Sequence, residues 1–398
     1  MIKTYKYRLY PTNIQIKRLE ETFNACRFLY NCALEERKSY YNFFGKGTSY
    51  YFQTAQLLEI KELFPEYKDI YAQVLQATLK RVDSAFQGFF RRLKTGEKAE
   101  FPRFKNKDRF HSILYPQSGF SIGKSKGLKN QKKCKLKLSK IGDIPMLLHR
   151  NIKGNIKTCQ IIRSTTGKWY VCLTCDAVPN EPIAKTNKDI GIDLGVKNLL
   201  AFSNGEKIDN PKHFKKSQDK LACAQRKLSK LDWKTSEQRA KRKASKLAVA
   251  RQYEKVKNQR TDHYHKLSKS LCERFDRIYL EKLNIKDMKS WRILNREIQN
   301  CAWNQLVQML LYKAESADKE VVLVDPRNTT KECSSCGNIV VKGLSERMHR
   351  CDACGLEMDR DHNAAINIYN RGRDLSLPRE SRTMFSELSR SPRIHAGE

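Results

Sequence analysis

No apolar run in this 398-residue chain approaches the ~20 residues that a membrane-spanning helix requires. The opening residues, Met-Ile-Lys-Thr-Tyr-Lys-Tyr-Arg, also lack the apolar core of a secretory signal. Both absences favour a chain that works away from the membrane, in the cytoplasm and close to the nucleoid. Acidic residues are scarce too: 43 Asp and Glu stand against 78 Lys and Arg, a formal net charge of +35. An excess spread over most of the chain implies a polyanionic partner, because neutralising phosphates releases condensed counterions. Nucleic acid is the partner that fits. Cysteine, by contrast, is plentiful at 13 residues. Without a secretory signal, these argue for thiols in a reducing compartment, some of them on metal, over a disulfide framework.

The length allows two or three domains with sizeable cores. Residues Lys3 to Tyr10 alternate as a strand closed by Pro11. Thr12 then opens a helix with Gln15 in the capping-box position, and Ile16, Leu19, Phe23, Cys26 and Tyr30 form its core face. Arg27 and Asn31 share a neighbouring face. A second amphipathic helix carries Leu75, Leu79, Val82, Phe86 and Phe89, with Gln76, Lys80 and Arg81 beside them. From Phe101 onward the period shifts towards two. Gly119–Ile122, Cys134–Leu138, Met146–His149 and Ile156–Ile162 suit strands, the last pairing with Trp169–Cys175 across Thr165–Lys168. A small β-barrel or curved sheet is expected there, completed by the N-terminal strand, and Pro179–Asn187 reads as a linker. Between Lys212 and Arg260, 17 Lys and Arg face 4 Asp and Glu, a local net of +13. A thin seam of Leu221, Leu228, Leu231, Leu247 and Val256 makes this stretch a helical hairpin whose other faces contact phosphates.

The next elements carry acids. Asp189–Ile192 reads as a buried strand that delivers Asp193, followed by a strand over Asn198–Ser203 and a turn at Asn204-Gly205. A strand over Asp276–Glu281 ends on a second carboxylate. A helix over Ile298–Ala317 and a strand over Glu320–Asp325, stopped by Pro326, complete an α/β alternation. Asp361 stands at the start of a helix through Ala364, Ala365 and Ile368, where the dipole favours a carboxylate. It reads either as a cap or as a third ligand, with Asp359 the cap in the second case. Three acids at element ends, without a set of histidines, suit Mg2+ or Mn2+. Two such ions held by carboxylates cleave phosphodiesters.

Cys333-x2-Cys336-Gly337 and Cys351-x2-Cys354-Gly355, separated by 14 residues, read as two knuckles of a closed structural zinc site, with His349 as a competing ligand. Cys172 and Cys175 repeat the spacing on a strand, where positions three apart face opposite ways, and read as core.

Gly191-Ile-Asp-Leu-Gly-Val-Lys, Tyr279-Leu-Glu-Lys-Leu-Asn, the four-cysteine segment and Asp359-Arg-Asp-His-Asn-Ala-Ala resemble the three RuvC motifs and zinc ribbon of the TnpB family. Tyr7-Arg-Leu-Tyr-Pro, Arg27-Phe-Leu-Tyr-Asn31 and Phe101-Pro-Arg-Phe-Lys105 resemble it as well, so the likeness covers nearly the whole chain. It implies an α/β architecture with a RuvC (RNase H-like) nuclease domain over 183–328 and 356–373 and an inserted zinc ribbon over 329–355. A β-barrel wedge (1–11 and 101–182), a helical recognition module (12–100) and a disordered tail (374–398) would complete it. Asp193, Glu281 and Asp361 would be the catalytic acids holding Mg2+ or Mn2+, and Cys333, Cys336, Cys351 and Cys354 would hold zinc. The implied activity is RNA-guided cleavage of double-stranded DNA beside a short motif, by a monomeric ribonucleoprotein whose guide RNA comes from the transposon end. The implied kinship is to type V CRISPR effectors. Tyr51, Gln76, Lys80, Arg27 and Asn31 are the candidate nucleic-acid contacts; Gln pairs bidentately with adenine. Three rivals remain: a transposase, whose usual acid order is Asp, Asp, Glu; an RNA-guided binder without cleavage; and a plain zinc-ribbon regulator, which leaves Asp193 and Glu281 unexplained.

Overall fold

A computed structural model of the chain divides into two compact units, Met1–Pro179 and Asn180–Glu398. It describes residues 1–123, 132–232, 234–282, 301–343 and 346–376. The expected tail beyond 376 and the first residues of the helix expected from Ile298 lie outside these. Among the described residues no helix is long and apolar enough to cross a membrane.

The first unit begins with β1 (Lys3–Leu9) and α1 (Asn13–Phe44). Thr12 caps α1 reciprocally: Gln15 N–H donates to its hydroxyl at 3.4 Å, and Thr12 N–H donates to the Gln15 side chain at 3.0 Å. Gly45, at φ +65°, ends the helix in the left-handed region. Two short helices, α2 (Tyr50–Ala55) and α3 (Leu57–Leu63), escaped the sequence reading, because six or seven residues are too few to display a helical period. After them, α4 (Ala72–Lys94) buries Leu75, Leu79, Val82 and Phe86 in the same cluster as Leu19, Phe23, Cys26 and Tyr30 of α1. Each large apolar side chain so removed from water contributes about 1.5–3 kcal/mol.

The remaining strands of the unit are β2 (Ser112–Tyr115), β3 (Phe120–Ile122), β4 (Lys132–Leu138), β5 (Gly142–Leu148), β6 (Asn155–Arg163) and β7 (Trp169–Asp176). With β1 they form an antiparallel sheet in the order β2-β6-β7-β1-β5-β4-β3. The N-terminal strand is thus central, its Tyr5, Tyr7 and Leu9 buried at alternate positions. Two expectations need correction. The strand placed at Met146–His149 starts at Gly142 and ends at Leu148, its first half disguised by Gly142 and Pro145. The four-residue β2 was not foreseen.

The second unit is built on β8 (Asp189–Leu194), β9 (Asn198–Phe202), β10 (Lys207–Asp209), β11 (Arg277–Glu281) and β12 (Glu320–Val324), in the order β10-β9-β8-β11-β12. The strands β8, β11 and β12 are parallel; β9 and β10 fold back antiparallel. Between β10 and β11 run α5 (His213–Ser229) and the 39-residue α6 (Ser236–Arg274). Between β11 and β12 comes α7 (Trp303–Ala317). Even positions of β8 and β11, Ile190, Ile192, Ile278 and Leu280, share a core with Tyr264 and Leu271 of α6 and Leu306 and Leu310 of α7. Odd positions face the last helix, α8 (Arg360–Ser376), which follows β13 (Met348–Arg350) and β14 (Glu357–Asp359). The helix runs three residues past Arg373, the expected end of the domain.

Contact between α8 and the sheet depends on two glycines. A Cβ on Gly191 would stand 2.3 Å from the Ala365 carbonyl oxygen, and one on Gly372 would stand 2.2 Å from the Tyr279 ring. Gly191→Ala is therefore expected to lift α8 from β8 and to lower stability by about 3 kcal/mol, the cost of overpacking against backbone. Chemical denaturation measures this, and a change under ~0.5 kcal/mol would contradict the packing described.

At the opposite end of the sheet, Asp276 binds the segment entering β8. Its carboxylate accepts from Thr186 N–H at 3.0 Å, the Thr186 hydroxyl at 3.1 Å, Asn187 N–H at 2.7 Å and the buried Lys319 ammonium. Desolvation pushes this acid up, but the Lys319 and Thr186–Asn187 hydrogen bonds outweigh it and hold the carboxyl well below its usual range. A depressed acid contributes stability that is complete above the unfolded value near pH 4 and is lost as pH falls towards the folded value. Asp276→Asn should cost about 3 kcal/mol at pH 7, because the buried Lys319 ammonium loses its counter-ion and keeps the neutral Ala184 carbonyl at 2.8 Å. Denaturation at pH 7 and pH 3 checks this: the deficit should shrink at the lower pH.

Candidate active site and metal centre

Asp193 lies inside β8, and Glu281 closes β11. The parallel register pairs Leu280 with Ile192, so the two acids stand one residue further on, side by side at the carboxyl ends of adjacent strands. In open α/β sheets, ligands bind at those ends. Period two places both acids on the face covered by α8. On α8 itself, Asp361, Ala365 and Gly372 fall on one side of the helix, so the contacts that seat Ala365 on Gly191 and Gly372 on Tyr279 also bring Asp361 towards the two strand ends.

All three acids are buried, at 9 %, 9 % and 8 % exposure for Asp193, Glu281 and Asp361. Burial drives the Asp193 carboxyl well above its usual range, and the neighbouring charges of Glu281 and Asp361 raise it further; Arg360 and the Leu194 backbone amide oppose them. Glu281 is raised as well, first by burial, against a hydrogen bond from Thr329 and the charge of Arg371. Three guanidinium groups stand beside these acids, Arg371 among them. The Arg360 guanidinium donates bonds of 3.2 and 3.1 Å to Asp361 Oδ1, while Arg347 stands 4.0 Å from Oδ2. The cap of α8 is Asp359, whose Oδ1 accepts from the N–H groups of Asp361 and His362 at 3.0 and 3.1 Å. That frees the Asp361 side chain from capping.

The four cysteines come together. Their sulfurs all lie within 4.8 Å of one another, with Cys333 to Cys354 and Cys336 to Cys351 each at 3.6 Å. Among the described residues this is the only tight group of three or more such donors. Gly337 and Gly355 follow the knuckles at φ +77° and +72°, in the left-handed region that glycine favours. Burial would raise Cys351, but the amides of Cys354 and Ala353 and the neighbouring thiols bring it down to about 7. His349 is outside this group, buried on β13 with Lys342 against its Nδ1. Cys172 is half-buried and Cys175 buried on β7.

Sequence reasoning missed the residues that join these two sites. Asn363 and Asn367 of α8 are buried, and their amides bind the backbone before and within the first knuckle. Asn363 accepts from Ser334 N–H at 2.9 Å and donates to the Glu332 carbonyl at 2.7 Å; Asn367 donates to the carbonyls of Thr329 and Glu332. Asn363 lies within the Asp359-Arg-Asp-His-Asn stretch noted above, and Asn367 follows one turn later on the apolar side of the helix.

In the first unit, the candidate nucleic-acid contacts fare differently. Tyr51 is 80 % exposed on α2. Lys80 is exposed, paired with Asp83 at 2.8 Å and set over the Tyr50 ring. Gln76 and Arg27 are half-buried. Asn31 is committed to structure: its amide exchanges hydrogen bonds with the Lys105 backbone at 3.0 and 2.8 Å.

Fold and sites together define a mixed α/β protein with an acid cluster at the strand ends and a four-thiol ribbon beside it. A relative from Streptomyces pristinaespiralis, named "Putative RNA-guided DNA endonuclease", is 32% identical over 93% of this chain and 89% of its own. InsQ of Escherichia coli K12, named likewise, is 28% identical over 93% and 92%. Family models described as "Probable transposase", "Cas12f1-like, TNB domain" and "Helix-turn-helix domain" match residues 171–292, 303–368 and 1–46. The last stretch folds here as β1 and the single long α1. A chain of a Cas12f1–sgRNA–target DNA complex shares the fold, with a TM-score of 0.59 over 93% of this chain and 99% of that one at 15% identity. The chain belongs to the TnpB family.

Proposed function

We infer that this protein is a transposon-encoded, RNA-guided endonuclease that cleaves double-stranded DNA beside a short motif by metal-dependent phosphodiester hydrolysis. The observation that carries the reading is the burial of Asp193 and Glu281 at the carboxyl ends of the adjacent parallel strands β8 and β11, with buried Asp361 at the start of the helix packed on them. An anionic, buried oxygen donor set fits hard divalent cations, Mg2+ or Mn2+. Asp193, Glu281 and Asp361 would hold them, and the ions would supply an activated water and stabilise the leaving oxygen. The strand order of the second unit, with its antiparallel and then parallel pairs, supports a RuvC, RNase H-like domain. Zinc suits the cysteines: bonds of about 2.3 Å in a regular tetrahedron give sulfur separations of about 3.8 Å, against 3.6 Å for two of the pairs here, with all four sulfurs within 4.8 Å of one another. With all four positions thiolate, that site is structural.

The chain's other residues bind and orient. The basic hairpin of α5 and α6 contacts phosphates, and the sheet of the first unit serves as the wedge beside the helical recognition module. Gln76, and secondarily exposed Tyr51, would read the short motif, with Lys80 a further nucleic-acid contact, while base pairing with the guide reads the rest. The description "Probable transposase" names the rival activity, but the acids here run Asp, Glu, Asp.

Sequencing the RNA that co-purifies with the full-length chain tests the guide. A discrete RNA carrying transposon-end sequence is expected, with an affinity that falls at least tenfold between 50 and 200 mM salt, in line with several phosphate contacts. Recovery of no specific RNA, or an affinity flat across that range, would contradict the reading.

A further inference from the structure

We propose that Thr329 is a positioning residue for the acid site: its hydroxyl fixes one oxygen of Glu281 and leaves the other to a bound divalent ion. This rests on the reading of Asp193, Glu281 and Asp361 as metal-holding acids. Thr329 is 2 % exposed, in the segment between β12 and Cys333. Its Oγ1 donates to Glu281 Oε1. A hydroxyl has one hydrogen to give, and the other acceptor in reach, the Pro326 carbonyl, is 3.2 Å away and uncharged. The carboxylate wins, because hydrogen bonds to an ionised acceptor are roughly twice as strong as neutral ones.

The donor is itself held in place. Asn367 Nδ2 donates to the Thr329 carbonyl at 2.9 Å and to that of Glu332 at 2.8 Å. One turn earlier on α8, Asn363 grips Glu332 and Ser334. Asp361 starts the same helix. Thr329 thus joins the acid that ends β11 to the helix that carries Asp361, and does so from the loop leading into the first cysteine knuckle. Partners that orient a metal-ligating carboxylate are worth about 10–100-fold in metal affinity or activity.

Thr329→Val keeps the shape and deletes the donor; Thr329→Ser keeps the donor. Mn2+ binding to the zinc-loaded protein–RNA complex is followed by electron paramagnetic resonance, with the Asp193→Ala complex as background, beside the Mn2+ dependence of target cleavage. Thr329→Val is expected to weaken site-specific Mn2+ binding, and to raise the Mn2+ needed for half-maximal cleavage, by about tenfold or more. Thr329→Ser should stay within about twofold of wild type, and target binding in EDTA should be unchanged in both. Wild-type Mn2+ affinity in Thr329→Val would overturn the proposal, as would equal losses in the valine and serine variants. Should Thr329→Val fall short of full zinc occupancy, Thr329→Ala is compared with Thr329→Ser at the same readouts, and equal Mn2+ affinity in those two overturns it. A wild-type complex that binds no more Mn2+ than Asp193→Ala would overturn the metal-holding reading and this proposal with it, whereas failure at Thr329 alone leaves that reading standing.

Discussion

Asp193→Ala is expected to lower cleavage of guide-matched DNA by about a thousandfold or more, since it removes an acid that would position the ions stabilising developing charge. RNA and target binding should survive, because the basic surface is remote in chemistry from this carboxylate. The same substitution should raise Tm in EDTA. Asp193 is a buried acid whose charge is opposed by Glu281 and Asp361, so without a cation its removal relieves repulsion inside the fold. An acid kept for stability would behave in the reverse way, losing Tm on substitution. Cleavage measured with a matched duplex and Mg2+, together with a thermal melt in EDTA, separates the two roles. A variant that still cuts, or that melts earlier and loses RNA, would make Asp193 a structural residue.

Removing the ribbon metal is the second large effect. Outside the four thiols, the described residues of the ribbon have the two-stranded β13–β14 pair, a single bridge between Glu332 and Ile339 and a few buried side chains, among them His349. A two-stranded hairpin is marginal alone, so on the zinc reading metal binding would supply its folding free energy, about 10–16 kcal/mol in zinc-finger peptides. Cys351→Ser is expected to abolish stoichiometric zinc and to open residues of both knuckles to hydrogen exchange. Through Asn363 and Asn367 the loss should reach α8, so cleavage falls by at least about tenfold even though no acid is altered. The core of α6, α7 and the central strands should keep its protection. Metal analysis with hydrogen exchange tests this, and full zinc content in Cys351→Ser would refute the four-thiol assignment.

Much of this arrangement was legible in the sequence because its signals are local. A buried parallel strand is a short apolar run, and the acids after Ile192 and Leu280 stand out against it. Two Cys-x2-Cys-Gly knuckles carry their own geometry. Thr12 and Gln15 announced the start of α1 and form the reciprocal cap. What could not be read depends on contacts between distant segments. Thr329 is one of two threonines in a polar loop, and nothing in Asn328-Thr-Thr-Lys331 reveals that one hydroxyl meets Glu281, 48 residues away. Gly191 resembles any strand glycine until α8 is laid against it. Asn31 stood as a candidate nucleic-acid contact, and nothing local reveals that both ends of its amide meet the Lys105 backbone, 74 residues on. Short helices were lost for a different reason: α2, at six residues, and α3, at seven, lie below the length at which a helical period can be seen.

The most direct test of the central claim is programmed cleavage. The wild-type chain is loaded with its RNA, or with the same RNA carrying a changed guide segment, and each complex is offered duplexes matching one guide or the other in Mg2+ and in EDTA. Guided hydrolysis at the acid site predicts cuts only in the matched duplex, following the guide when it is exchanged, and only with the divalent ion. Cutting or joining of DNA that ignores the RNA, or matched binding with no Mg2+-dependent cleavage, would contradict it.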